Sequence, residues 1–543
     1  MSGSRVGAFV VGRRDLPFLL AFAAGVALRV VVTVAYRPAL LFPDSFGYLH
    51  HAAPLHLSPI HPEGYAIWVW PMVHLLHSTA AIVVAQHVLG LAIAVAGYAF
   101  LARRGLPRWA AALATLPVLL DPLQLVLEQY VLSDVLFEAL LVGAALVLLW
   151  RRRPGMVAAA VAGLLVAAAT VTRGVGTVLA VGFLVALLWL RVPWPRLAAF
   201  VLALVLPIGA YMVVFHHEYG RTALETAGPR YLYARLAPMV RCGSVQLPGQ
   251  ERRLCPADPV RDRLPIDWYM WHGRQSAQFH VRPPAGMTQV QLVRDFDRRV
   301  LRAQPVPYAR SVAAQLVMGF DPSREAHLPG RPASRWLFHR DYWVLHLLIA
   351  HHLLPPGATA GASVEPAAAA FLTGYRTWLW TPGPLLAALL LAAVAAMLGL
   401  GRSRLSGDRV AVGLLATACL IPLLTASALN GFSWRYQLPQ VPLLPLAGAL
   451  ALAALLRGAA PDRGPQPLPR IRRRVVLVAG LASGIVVGTG LAVSGWASTG
   501  TAAVGGAVAL IGATVLLVVS STRSVRDAVR PRSPGRGGNA PPR

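Results

Sequence analysis

The chain is 543 residues long, 56% hydrophobic and only 13% charged, where an ordinary soluble protein carries about 25% charged residues. Apolar stretches at 80–101, 109–127, 135–150, 155–171 and 174–190 are too long and too clean for globular cores and approach the length a bilayer asks of a helix. A soluble enzyme, a disordered chain and a disulfide-dense secreted domain are thereby excluded, which leaves an all-α polytopic membrane protein. The formal net charge is +28 and all 50 basic residues are arginine. That uniformity fits GC-rich codon usage, and basic stripes interleaved with aromatics, the mark of a nucleic-acid surface, are lacking.

In chain order, Arg13 and Arg14 precede a first predicted span at 16–36. Arg29 interrupts it and no cleavage site follows, so it reads as an uncleaved anchor rather than a signal peptide. A first outer loop, 37–78, is rich in His, Pro and aromatics. Spans are then predicted at 79–101, 109–127, 133–150, 155–171, 174–190 and 196–214, completing an N-terminal module of 1–214. The segment 215–378 reads as a large extracytoplasmic region, with weak amphipathic helices at 291–302 and 335–352. Spans at 379–399, 410–428, 438–457, 475–495 and 501–520 form a C-terminal module of 379–520, and 521–543 is a disordered basic tail.

Every second connector in this register is arginine-rich: Arg103, Arg104 and Arg108; Arg151 to Arg153; Arg191 and Arg196; Arg402, Arg404 and Arg409; Arg470 and Arg472 to Arg474. Connectors 129–132 and 495–500 carry no positive charge. Short arginine-rich connectors mark the cytoplasmic side, which gives about twelve helices with both termini cytoplasmic in a cell membrane. Cys242 and Cys255 fall in the long outer segment, where a disulfide persists and would add about 3 kcal/mol in the chain-entropy account. Cys419 lies inside a span and reads as packing.

An ionisable side chain at membrane depth costs at least about 2.5–3.5 kcal/mol, so the placement of 22 acidic residues is informative. Asp44 follows the first span. Asp134 opens the fourth, and Glu138 lies four residues on, on the same helix face and about 6 Å deeper. Asp121 and Glu128 flank the same end, so several carboxylates are expected to gather at one membrane face. Arg173, ending the fifth span, and Arg435, opening the tenth, break the charge rule for outer connectors. The bland readings are a helix cap for Asp134, and snorkelling or an ion pair with a carboxylate such as Asp134 for the arginines. The sharper reading is that planar guanidinium groups hold phosphate oxygens. A carboxylate within reach of an incoming hydroxyl can take its proton, and arginines can stabilise a departing phosphate. Together they suit chemistry on a lipid-borne phosphate.

Five motifs carry a resemblance: Pro43-Asp44-Ser45-Phe46-Gly47-Tyr48; His61-Pro62-Glu63-Gly64-Tyr65; Ser133 to Phe137; Thr172-Arg173; and Arg435-Tyr436-x-x-Pro439. In this order the chain resembles the GT-C class of integral-membrane glycosyltransferases, nearest the bacterial branch of protein O-mannosyltransferases and the lipid A aminoarabinose transferase. The likeness covers about 16–220 and 380–457. It implies inverting transfer of a sugar from a polyprenyl-phosphate-linked donor to an envelope glycan, lipid or protein acceptor. By resemblance Asp44 is the catalytic base, Arg173, Arg435 and Tyr436 contact the donor phosphate, and Asp134, Glu138, Glu63, Tyr48 and His61 support them. Two positions depart from the family pattern. Glu63 stands where a second proline is usual, and Asp134 where glutamate is. Some members use a divalent metal, for which His50, His51, His56 and His61 are the candidate ligands. Tyr231, Tyr233, Trp268, Tyr269 and Trp271 stack on sugar rings or pack a core. Competing readings are a transporter or flippase of lipid-linked sugar, though no internal repeat is present, and a non-catalytic scaffold.

Overall fold

A computed structural model describes residues 13–273, 276–324, 331, 333–341, 362–405 and 407–457. The spans expected at 475–495 and 501–520, the tail 521–543 and most of the amphipathic helix expected at 335–352 lie outside the described residues.

The first span is helix α1 (Leu16–Ala35). It leads into a short strand, β1 (Tyr36–Arg37), which pairs antiparallel with β2 (Ser363–Val364) and ties the first loop to a late part of the chain. The loop itself is built from α2 (Pro43–His51) and α3 (Gly64–Trp70). Helix α4 (Thr79–Arg103) starts at Ser78, whose hydroxyl oxygen accepts the Ala81 amide.

The third predicted span, 109–127, is not one helix. It is three pieces: α5 (Arg108–Leu113), α6 (Leu116–Leu120) and α7 (Pro122–Gln129). Pro117 and Pro122 have no amide to continue a helical ladder, and Asp121 restarts the helix by accepting the Leu123 amide. Such a break leaves carbonyls that lipid cannot satisfy. Those of Val118 and Leu119 accept from Arg29 at 3.0 and 3.1 Å, and that of Leu120 accepts from the Tyr375 hydroxyl at 2.5 Å.

The next four predicted spans appear as α8 (Asp134–Leu149), α9 (Met156–Thr172), α10 (Gly176–Trp189) and α11 (Trp194–Tyr219). The long segment that follows folds into α12 (Gly228–Leu236), α13 (Ile266–Trp271), α14 (Ala277–His280), α15 (Gln289–Ala303) and α16 (Pro305–Met318). It has its own core of Tyr233, Leu236, Leu254, Tyr269, Leu292, Phe296 and Val300. Cys242 and Cys255 are bonded within it, with Cα atoms 6.2 Å apart. Hydrogen bonds fix this unit to the bundle: Arg235 Nε donates to the Ser427 carbonyl and the Tyr308 hydroxyl to the Ala428 carbonyl, both at 2.9 Å, and Gln315 Oε1 accepts the Phe432 amide at 2.8 Å. Helices α17 (Pro366–Trp378) and α18 (Gly383–Met397) meet at a 50° bend. Helices α19 (Arg409–Leu429) and α20 (Gln440–Arg457) complete the described bundle.

Among the described residues five helices are long and apolar enough to cross a membrane, six if the bent pair is one span. The chain is a multi-pass membrane protein, but the described residues do not reach the expected twelve. Prolines break one span, α8 to α10 have only 16, 17 and 14 residues, and the last two spans lie outside. The most hydrophobic stretch of α11 is 17% buried, with Leu202, Val205, Leu206 and Val213 facing outward, as on a lipid-facing helix.

The bundle has two chemically distinct ends. At one, the arginine-rich connectors meet: Arg103 Nε donates to the Trp150 carbonyl at 3.0 Å, Arg104 pairs with Asp408, and the Tyr98 hydroxyl donates to Asp15 at 2.5 Å. At the other, the C-termini of α1 and α9, the N-terminus of α8 and the turn before α20 gather around α2 and α3.

Candidate active site

Helix α2 is docked by its own first turn. The Ser45 hydroxyl accepts the Phe42 amide at 2.9 Å and donates to the Val131 carbonyl at 2.8 Å. One turn on, the Tyr48 hydroxyl lies 3.0 Å from Ser133 Oγ. Backbone bonds from Leu40 N to the Gln129 carbonyl and from Val131 N to the Leu40 carbonyl, 2.9 and 3.0 Å, hold the preceding loop to the same stretch. These contacts present Asp44 to the N-terminus of α8.

Four charged side chains alternate in a row there. Arg435, in the 3₁₀ turn Trp434–Gln437, donates through Nη1 to Asp44 Oδ2 at 2.8 Å, and its Nε lies 3.8 Å from Asp134 Oδ1. Arg173, the residue that ends α9, pairs with the same Asp134 oxygen. The Tyr436 ring lies 5.3 Å from the Arg435 guanidinium and 5.5 Å from that of Arg173. Phe42 and Trp336 flank Arg435 at 5.7 and 5.5 Å. Asn430 fixes Tyr436 by donating to its hydroxyl at 2.7 Å, and Arg331 in turn donates to Asn430 at 3.1 Å. The Asp44 side chain keeps 27% of its surface exposed and that of Asp134 only 4%, so the row is open at Asp44. Asp134 Oδ2 and Arg435 Nε are buried without a hydrogen-bond partner. Burial opposes the charge on Asp44, but its ion pair with Arg435, helped by His61 and Arg173, holds the carboxyl below the usual carboxylate range.

A second acidic group flanks the row. Glu63 precedes α3, and its buried Oε1 lies 2.5 Å from His51 Nδ1 and 3.1 Å from His61 Nδ1. The four histidine rings cluster, His51 and His56 edge to face with centres 4.5 Å apart and His50 and His56 likewise at 5.2 Å. Among the described residues no set of three or more His, Cys, Asp or Glu side chains is arranged to hold a metal ion.

The expected gathering of carboxylates at one face is only partly what the structure shows. Asp44 and Asp134 share the row, but Asp121 pairs with Arg324 at 2.6 Å. Glu138 and Glu128 turn into the bundle. Gln124 Nε2 donates to both, at 2.9 and 3.1 Å, and Arg29 grips Glu128 with two bonds of 2.8 and 2.7 Å. Glu138 thus bonds Gln124, one helical turn from Asp134, rather than a member of the row.

The sequence reading missed Phe42, Trp336, Asn430 and Glu225. A tryptophan in a long loop carries no signal of its own, and Glu225 is placed only by the fold, within electrostatic range of His61. Tyr231 does face the site, within range of Asp44, Tyr48 and Tyr436, and burial raises its hydroxyl well above the usual value. Of the other aromatics singled out, Tyr233 and Tyr269 are core residues of the inserted unit, while Trp271 is 53% exposed.

Compared with family models and with curated proteins, the chain matches none. Two solved structures are similar. One is the archaeal oligosaccharyltransferase AglB from Archaeoglobus fulgidus in complex with an inhibitory peptide and a dolichol-phosphate, at 12% identity and a TM-score of 0.35 over 88% of this chain and 56% of that one. The other is the apo form of the Archaeoglobus fulgidus oligosaccharyltransferase, at 13% identity and a TM-score of 0.33 over 89% and 56%. The chain thus spans little more than half the length of either.

Proposed function

We propose that this chain is a GT-C-type glycosyltransferase that moves a sugar from a polyprenyl-phosphate-linked donor to an envelope glycan, lipid or protein. The observation that carries the reading is the row Asp44–Arg435–Asp134–Arg173, at the end of the bundle opposite the arginine-rich connectors. By the charge rule that end is extracytoplasmic and both termini are cytoplasmic. The segment 215–378, whose Tyr231 comes within electrostatic range of Asp44, selects the acceptor.

The chemistry follows from the ion pairs. In this arrangement Arg435 makes Asp44 a weak base. A donor phosphate is a better partner for a guanidinium fork, so its arrival draws Arg435 and Arg173 away from their carboxylates. Asp44 then recovers basicity when the donor is in place. It takes the proton of the acceptor hydroxyl as that oxygen attacks the sugar carbon from the face opposite the phosphate. The sugar–phosphate bond breaks, the anomeric centre inverts, and the guanidinium groups hold the charge left on the phosphate.

In a reconstituted assay with a polyprenyl-phosphate sugar, Asp44→Asn should lower transfer about 10²–10⁴-fold while thermal stability and donor binding stay near wild type. Transfer within about threefold of wild type would remove Asp44 as the base.

A further inference from the structure

The loop leading to Arg435 is clamped by one arginine of the segment 215–378. Arg331 keeps 9% of its side-chain surface exposed, and all five of its N–H donors are used. Nε and one Nη2 hydrogen go to Asp267 Oδ1 in α13, at 2.9 and 2.5 Å. Nη1 donates to the carbonyls of Gly431 and Phe432 at 2.9 and 3.3 Å. The second Nη2 hydrogen goes to Asn430 Oδ1 at 3.1 Å. Arg335 Nη1, 3.6 Å from the other Asp267 oxygen, helps to hold that acid. Gly431 permits the close approach: its φ is +86°, and a Cβ there would stand 2.6 Å from Ile266 Cδ1 and 3.2 Å from Arg331 Nη1.

This clamp settles where one hydrogen points. A guanidinium has donors and no acceptor, so the Asn430 amide must turn its oxygen to Arg331 and its nitrogen to Tyr436. Asn430 Nδ2 then donates to the Tyr436 hydroxyl oxygen at 2.7 Å, and Tyr436 cannot give its own hydrogen back along that line. Among the described residues the hydroxyl makes no other hydrogen bond. Its hydrogen is therefore left for a group from outside the protein. The residue is half-buried, and its ring adjoins both guanidinium groups of the row, 5.3 Å from that of Arg435 and 5.5 Å from that of Arg173.

We infer that Tyr436 gives its hydroxyl hydrogen to the lipid-borne phosphate that Arg435 and Arg173 attract, and that Asn430, its amide turned by Arg331, is the residue that positions this hydrogen. This rests on the donor class proposed above. The phosphate of such a lipid offers acceptors only, so the polarity of the hydroxyl matters. An Asn430 amide turned the other way would take the Tyr436 hydrogen on its own oxygen and leave the phosphate facing a lone pair. Arg331 forbids that turn, because it would set an NH2 group against a guanidinium. The clamp is anchored on Asp267 of α13, so the segment that selects the acceptor also sets the direction of a hydrogen bond at the donor.

The test measures binding of a farnesyl methyl phosphodiester, which carries one fixed negative charge as the donor does, to the full chain in nanodiscs. Tyr436→Phe keeps the ring and should bind about tenfold more weakly, the size of one hydrogen bond to a charged group. Asn430→Asp keeps the shape. Its carboxylate still accepts from Arg331 but cannot donate, so the Tyr436 hydrogen turns toward it. This variant should also lose about tenfold, with an unfolding midpoint near wild type. The two substitutions together should bind no more weakly than Tyr436→Phe alone. Arg331→Met frees the amide to turn and should lose about threefold, again only while Tyr436 keeps its hydroxyl. A merely structural Asn430, or a new charge acting at a distance, would weaken binding by the same factor with or without that hydroxyl, and such additivity would overturn the inference. So would wild-type affinity in Asn430→Asp, or in Tyr436→Phe, which decides the matter even if the other variants do not fold. Weakened binding in Arg435→Ala with intact binding in Tyr436→Phe refutes the role of Tyr436 alone. A wild type that fails to bind the diester refutes the donor class and this inference with it.

Discussion

Gly64 is a residue whose side chain would be an obstacle. A Cβ there would meet the Val171 carbonyl oxygen at 2.6 Å and the Thr172 amide nitrogen at 2.8 Å, backbone atoms at the end of α9 that cannot swing aside. Only glycine lets the start of α3 lie this close, and the approach sets His61 and Glu63 beside Arg173. Gly64→Ala should cost about 1–3 kcal/mol by overpacking, read as a lowered unfolding midpoint in detergent, and should weaken donor binding. Gly174→Ala, whose Cβ would meet only Pro62 at 4.0 Å, should stay within about 0.5 kcal/mol. Equal stability of the two variants would show that the α3–α9 contact is not tight. At this scale the sequence was informative about Asp44, Asp134, Arg173 and Arg435, because charges at a membrane boundary are rare and costly enough to mark themselves. Their pairing was open, since the same four residues could have faced lipid headgroups. Glu63 looked like a departure from a motif, and only its burial between two histidines shows why an acid fits there.

Among the elements, the broken segment α5–α6–α7 and helix α1 are joined by one buried ion pair. All five N–H donors of Arg29 are used: Nε and one Nη2 hydrogen on Glu128, and the others on the carbonyls of Gly25, Leu119 and Val118. His87 Nδ1 adds a contact to Glu128 at 2.7 Å, and Gln86 bonds the Glu128 and Tyr130 carbonyls at 2.9 and 2.7 Å. Gly90 leaves the space, since a Cβ there would fall 1.8 Å from Glu128 Oε1. Removing one partner of such a pair strands a charge and costs about 3–5 kcal/mol. Glu128→Gln should therefore reduce the folded yield and the unfolding midpoint sharply, whereas Asp44→Asn leaves both unchanged. A Glu128→Gln protein as stable as wild type would mean that Arg29 finds its compensation elsewhere. Hydropathy predicted one span where three pieces stand. It counts apolar side chains and does not register that Pro117 and Pro122 lack amides, or that Arg29, 90 residues from Leu119, is there to take the freed carbonyls.

Across the whole molecule the two ends of the bundle divide the chemistry. Arg103, Arg104 and Asp408 lie at one end, and Asp44, Arg435 and the inserted unit at the other. If the arginine-rich end is cytoplasmic, a membrane-impermeant thiol reagent on intact cells should label Ile60→Cys, at an exposed position of the first loop. It should reach Arg152→Cys, also exposed, only after permeabilisation. Labelling of both positions on intact cells, or of Arg152→Cys alone, would overturn the orientation.

The sequence by itself determined that this is a helical membrane protein, where most of its spans fall, and which charges stand at their ends. Those properties are local: a bilayer selects apolar runs of a given length and exacts a free-energy cost for each ionisable group, whatever its neighbours. The tertiary structure alone decided which charge meets which. Asp44 and Arg435, 391 residues apart, become partners only when α2 docks beside the turn before α20, while Glu138, four residues from Asp134, is carried away by one turn of helix. Pairing depends on three-dimensional approach, and neither spacing nor hydropathy encodes it.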